Sequence, residues 1–228
     1  MNVFFKEIVT LGLLLSWISM SASTIANASP ENSGYSTDKL DALKNRLDPY
    51  VEDGRLPNYL LSIYHQGNLI YEAKKGYVDV SLKKPVERDT IFWVASMTKA
   101  VTSVAALQLV EQGKLSLDAP LSDYLPEFAD LLVAPGGSMG ADIVAADAPI
   151  LIKHLFTHTS GLSYGETIVG PSDVSKMYDE LDAFSTASST PTIMSTIASI
   201  PLRAQPGTEF NYSMSTDVLG ALVEKISG

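Results

Sequence analysis

Leu40, Leu43, Leu47 and Val51 recur at intervals of three and four, the spacing of one helical face, with Thr37 as N-cap and Gly54 as stop. Two alternating runs follow, Tyr59 to Gln66 and Leu69 to Val78, and the intervening Gly67-Asn68 predicts a two-residue hairpin turn. From Ser96 the pattern changes. Val101, Val104, Ala105, Leu107, Leu109 and Val110 leave almost no polar side, which predicts a helix buried in a core and ending at Gly113. Asp118 then caps a short turn that Pro126 ends, and residues 131–148, rich in Gly, Ala and Pro, read as loop.

Helical spacing returns over 150–157, from Ser172 or Asp173 (Val174, Met177, Tyr178, Leu181), and from Thr190-Pro191 (Ile193, Met194, Ile197). After Pro206-Gly207, Phe210 and Tyr212 alternate in an extended stretch, and a last helix from Ser215 carries Val218, Leu219, Leu222, Val223 and Ile226. The pattern predicts an α+β fold with only two visible strands. A hairpin alone makes an inadequate sheet, so either the sheet continues in residues this chain lacks or the hairpin lies against helices.

The 228 residues suit one sizeable domain or most of a larger one. A net charge of -10 leaves no electrostatic case for nucleic acid, and the absence of cysteine leaves no disulfides or thiolate metal sites. Lys6, an apolar stretch from Ile8 to Met20 and the A-x-A sequence Ala26-Asn27-Ala28 read as a secretory signal peptide over 1–28, with a mature domain over 29–228. The apolar run is shorter than the roughly 20 residues a membrane span needs, so export to the periplasm or exterior is the expectation.

Ser96-Met97-Thr98-Lys99 carries the chemistry. Residues three apart share a helical face, so the Ser96 hydroxyl and the Lys99 ammonium point into one space, a nucleophile beside its possible base. For Lys99 to take a proton, burial and nearby positive charge must lower its pKa toward neutrality. With Ser96 at the helix start, backbone N–H groups, including that of Ser96, lie where an oxyanion would develop. A serine opening a helix is also an ordinary cap.

A second candidate nucleophile is Ser138 in Gly136-Gly137-Ser138-Met139-Gly140, a match to G-x-S-x-G. Pro135 precedes it, a non-periodic Ala/Asp loop follows and the last histidine, His158, is not far downstream, so it reads as a glycine-rich loop. His154 and His158 stand at metal-ligand spacing but lack the glutamate of H-E-x-x-H, so they read as packing residues and neither metal nor cofactor is implied.

The run from Asp89 to Lys99 resembles the nucleophile region of the serine β-lactamase-related superfamily: class C β-lactamases, D-alanyl-D-alanine carboxypeptidases and family VIII carboxylesterases. Ile152 to Leu162, with His158-Thr159-Ser160-Gly161-Leu162, is similar to a structural segment of those proteins. Pro206 to Ser213 is similar to the approach to their tyrosine.

The resemblance spans about residues 36 to 228 and implies a β-lactamase/penicillin-binding-protein-like α+β fold, with a helical region beside an antiparallel sheet. It implies that Ser96 is acylated, that Lys99 tunes the proton inventory and that Tyr212 acts as or assists the general base. Where class C enzymes have Tyr-x-Asn, this chain reads Tyr212-Ser213-Met214, which favours short-chain esters over β-lactam or peptidoglycan-type substrates. A family strand motif expected beyond the tyrosine helix is not in the sequence, so the chain reads as the N-terminal part of a longer enzyme. A non-catalytic remnant or binding module is the alternative from a different class.

Overall fold

The computed structural model describes residues 27–140 and 142–228. Residues 1–26, and with them most of the expected signal peptide, lie outside the described residues. The chain forms two compact units, one up to Phe92 and one from Trp93.

In the first unit, α1 (Thr37–Glu52) is capped by Ser36, whose side chain accepts from the Lys39 N–H, one residue earlier than the sequence suggests. Strands β1 (Asn58–His65) and β2 (Asn68–Asp79) pair antiparallel. Their turn is Gln66-Gly67 rather than Gly67-Asn68, because His65 pairs with Asn68. Both turn residues have positive φ, 48° and 79°, the requirement of the hairpin turn that matches strand twist.

A third short strand, β3 (Lys84–Pro85), extends the sheet in the order β1-β2-β3. It is too short to alternate, so periodicity could not reveal it. Leu40, Tyr59, Leu69, Ile70, Ala73 and Val86 are the buried apolar side chains of this unit.

The second unit is mostly helical. It contains α2 (Thr98–Glu111), α3 (Ile152–Phe156), α4 (Glu166–Val169), α5 (Asp173–Glu180), α6 (Thr190–Ser199) and α7 (Ser215–Ser227). Ser172 and Ser189 cap α5 and α6 with their side chains, and Pro191 sits in the first turn of α6, where its missing N–H costs no helical bond.

α7 packs against α2, α3 and α6 and fully buries Val218, Leu219 and Leu222. Each such side chain removed from water stabilises the fold by about 1.5–3 kcal/mol. The stretch expected as loop contains a small ladder, β4 (Leu132–Val133) with β5 (Val144–Ala145).

α2 departs from expectation. Ala106 and Leu109 are buried, but Val101, Val104 and Leu107 are exposed. A helix apolar on nearly every side has no periodic stripe to mark which face is covered, so its sequence predicts burial without direction. Among the described residues no helix is long and apolar enough to cross a membrane.

Candidate active site

Ser96 lies in a 3-10 turn, Ala95–Met97, that leads directly into α2. Ala95 adopts φ 45°, a left-handed conformation that costs a residue with a Cβ on the order of 1–3 kcal/mol and tends to persist at functional sites. Ser96 is not the helix cap. Met97 occupies that position, and no side chain caps α2.

The Ser96 hydroxyl instead lies 2.6 Å from the hydroxyl of Tyr212. As the second residue of its turn, Ser96 also carries one of the amide N–H groups that a helix start leaves without an intrahelical partner.

Tyr212 is placed by the segment around His158. The Asn211 N–H donates to the His158 carbonyl at 2.7 Å, and the Ser213 N–H donates to His158 Nδ1 at 3.2 Å. The His158 ring lies against Tyr212, with centroids 4.9 Å apart.

Gly161 holds that segment close to its neighbour. Its φ is 83°, and a Cβ there would stand 2.2 Å from the Ala204 carbonyl oxygen, so only glycine fits. Behind it the buried hydroxyl of Ser215 bonds both Ser160 and Ser213 at 2.7 Å. A fully satisfied buried polar network of this kind fixes one geometry.

Lys99, in the first turn of α2, is half-buried and donates to the Tyr164 hydroxyl at 3.2 Å. Its Nζ stands 5.0 Å from the centre of the Tyr212 ring. Tyr164 in turn donates to the Asp217 carboxylate, in the first turn of α7, at 3.2 Å. Tertiary folding thus assembles a row from Ser96 through Tyr212, Lys99 and Tyr164 to Asp217.

The electrostatics assign different states to the two candidate bases. The hydrogen bond from Ser96 holds the Tyr212 hydroxyl below the ordinary tyrosine pKa, aided by the Lys99 ammonium, against the opposing effects of burial and Asp217. Burial works against the charge of Lys99, but the oxygens of Tyr212 and Tyr164 overcome it and hold the lysine above its ordinary value.

Lys99 is therefore held as an ammonium, so the condition for it to act as a base, a pKa lowered toward neutrality, is not met. Burial, then Asp217, pushes the Tyr164 hydroxyl up to about 12, so it stays protonated. Burial, then Lys99, keeps the His158 ring below its ordinary value, so it is neutral at neutral pH.

A cavity of about 510 Å³ opens beside Lys99, with Ala95, Thr102, Phe184, Met214 and Asp217 among its walls. Met214 is buried and contributes a thioether to that wall, in the position where the class C pattern has an amide.

The other sequence candidates are occupied elsewhere. Ser138 has extended backbone after the 3-10 turn Pro135–Gly137, and its Oγ accepts from the Gly140 N–H at 3.3 Å. His154 lies in α3 and accepts from the Leu151 N–H at 3.1 Å, while His158 lies beyond the end of that helix and faces Tyr212. Sequence reasoning missed Tyr164 and Asp217. The available signals were a tyrosine two residues after Leu162 and an acid in the first turn of the last helix.

A Beta-lactamase family model matches residues 43–228. Esterase EstB of Burkholderia gladioli is 34% identical over 199 residues, covering 83% of this chain and 45% of that protein. Among solved structures, EstCE1, described as a hydrolase with promiscuous acyltransferase activity, superposes with TM-score 0.68 at 34% identity over 79% of this chain and 45% of its own. Simvastatin Synthase (LovD) from Aspergillus terreus, unliganded, gives TM-score 0.67 at 27% identity over 85% and 48% of the two chains. The chain thus spans about half the length of the relatives it matches.

Proposed function

We propose that this chain, which belongs to the Beta-lactamase family, carries the nucleophilic half-site of a serine hydrolase that cleaves short-chain carboxylic esters through an acyl-enzyme on Ser96. The observation that carries the reading is the 2.6 Å approach of the Ser96 and Tyr212 hydroxyls beside the Lys99 ammonium.

Tyr212, as phenolate, takes the Ser96 proton while Oγ bonds to the ester carbonyl carbon. The C–O bond to the alcohol then breaks, and the leaving oxygen receives the proton from Tyr212. Water repeats the sequence: Tyr212 takes its proton, its oxygen bonds to the acyl carbon, and the proton returns to Ser96 as the acid leaves. Lys99 stays protonated throughout and stabilises the phenolate. The Ser96 N–H donates to the carbonyl oxygen as negative charge develops there.

Two observations favour esters over β-lactams. Met214 supplies a thioether where an amide would bond a β-lactam side chain, and a protein named Esterase EstB is 34% identical to this chain. The test compares short-chain p-nitrophenyl esters with a chromogenic cephalosporin, using the full-length protein. Ester turnover that exceeds cephalosporin turnover and is lost in Ser96→Ala is the expected result; preferential cephalosporin turnover overturns the substrate assignment. The leader pattern from Lys6 to Ala28 supports export, and an N-terminus near Ser29 in secreted material is its check.

A further inference from the structure

Lys99 carries three N–H donors and no acceptor, so a hydroxyl can hold it only by offering a lone pair. The Tyr164 hydroxyl has a single proton. That proton goes to the Asp217 carboxylate at 3.2 Å, which leaves the oxygen to accept from Lys99 Nζ, also at 3.2 Å. Without an acceptor at Asp217 the hydroxyl is free to turn its proton toward the ammonium, and the contact changes from attraction to repulsion.

Asp217 does not touch Ser96 or Tyr212 by any hydrogen bond in the described structure. Its route to them runs through Tyr164 and Lys99. From these contacts we propose that Asp217 is a positioning residue of this site: by fixing the orientation of the Tyr164 hydroxyl it holds Lys99 against Tyr212. The inference rests on the reading of Ser96, Lys99 and Tyr212 as the reacting group.

Other charged and titratable groups face the row. His158 lies against Tyr212 and is neutral near neutral pH, while Tyr178 is buried close to Tyr164 and is pushed well up by that burial. Glu224 lines the same cavity as Lys99 and Asp217. Asp217 also repels a phenolate at Tyr212, a smaller effect than the attraction of Lys99. Asp217 is exposed, and solvent screening limits its effect to less than that of Tyr164 itself.

The experiment follows kcat/KM against pH for a short-chain p-nitrophenyl ester in the full-length protein, with Tyr164→Phe, Asp217→Ala, Asp217→Asn and the Tyr164→Phe/Asp217→Ala double variant. Tyr164→Phe lowers kcat/KM about tenfold and moves the rising limb upward, toward the ordinary tyrosine value. Asp217→Ala moves it in the same direction with a loss of about threefold, and Asp217→Asn, which keeps an acceptor oxygen, restores most of that loss. The double variant loses no more than Tyr164→Phe alone, because the hold of Asp217 on Lys99 runs through Tyr164 and removing its direct repulsion of the phenolate only favours Tyr212.

An unmoved limb in Asp217→Ala, or losses that multiply in the double variant, overturns the inference. If Asp217→Ala melts early, Asp217→Ser, which keeps a polar helix start but is too short to reach Tyr164, is read in its place by the same criteria. A wild-type protein without ester hydrolysis, or one whose rate survives Ser96→Ala, instead overturns the reading of the site itself.

Discussion

The two units of this chain place their polar groups differently. In residues 27–92, exposed and half-exposed charges knit the hairpin and its helix, with pairs such as Lys75–Glu52, Lys44–Asp48 and Arg88–Glu72. In residues 93–228, the described ion pairs are Lys153–Asp118 and Lys176–Glu180, and the fold rests on a contiguous apolar core from Ala106 to Leu222. The buried polar side chains, Ser160, Ser163, Ser175, Ser213, Ser215 and Thr216, all belong to the second unit, and all but Ser175 stand within four residues of Tyr164 or Tyr212. Surface ion pairs contribute little and tolerate change, whereas buried hydroxyls must be satisfied in one arrangement. The candidate site is built where that constraint is strongest.

Substitutions should separate the two kinds of construction. The largest effect is expected at the nucleophile: Ser96→Ala lowers esterase kcat by at least about 10³-fold, the scale of losing a serine nucleophile, while Ser138→Ala leaves the rate unchanged. Tyr212→Phe follows, with a loss of about 10²–10⁴-fold for a general base. The pH profile sharpens the same point. A tyrosine held below its ordinary pKa is active once deprotonated, so kcat/KM rises with pH through a value below about 10 and falls again where Lys99, held above its ordinary value, loses its proton. A profile that rises only above the ordinary tyrosine value contradicts the lowered Tyr212.

Core and surface should then differ in stability. Leu219→Ala, at a fully buried position on α7, costs about 2–5 kcal/mol in denaturant unfolding, whereas Lys176→Ala, in an exposed pair, stays within about 0.5 kcal/mol. The smallest effect concerns acid. Hydrogen bonds from Lys44, then Tyr59, lower the Asp48 pKa to about 2, so its contribution is full above the unfolded value near 4 and is lost as pH falls toward 2. Asp48→Asn flattens that part of the melting-temperature profile; an unchanged profile shows that these surface contacts are not stabilising.

Much of this arrangement is legible from local pattern. The α+β fold is the β-lactamase/penicillin-binding-protein-like fold that the resemblance implies, and α1, the main hairpin, α2, α5, α6 and α7 lie where periodicity places them. The ladder of Leu132–Val133 with Val144–Ala145 is not legible, because two-residue strands have no alternation to read. The turn shifts by one residue because only the register of His65 with Asn68 fixes which pair takes positive φ.

At the site, Ser96 and Lys99 share a turn and announce themselves, and Tyr212 is singled out by the residues leading to it. Tyr164 and Asp217 carry no local signal strong enough to join them, since 53 residues separate two side chains that meet only in the folded chain. Which of two states Lys99 takes, neutral base or ammonium, is open in the sequence. It depends on two tyrosine oxygens that spacing cannot place.

Labelling with a fluorophosphonate, followed by mass-spectrometric mapping of the modified residue in the full-length protein, tests the central claim most directly. The account predicts a single adduct on Ser96 whose formation slows markedly in Tyr212→Phe. An adduct on Ser138, or labelling of Ser96 that is indifferent to Tyr212, would contradict it.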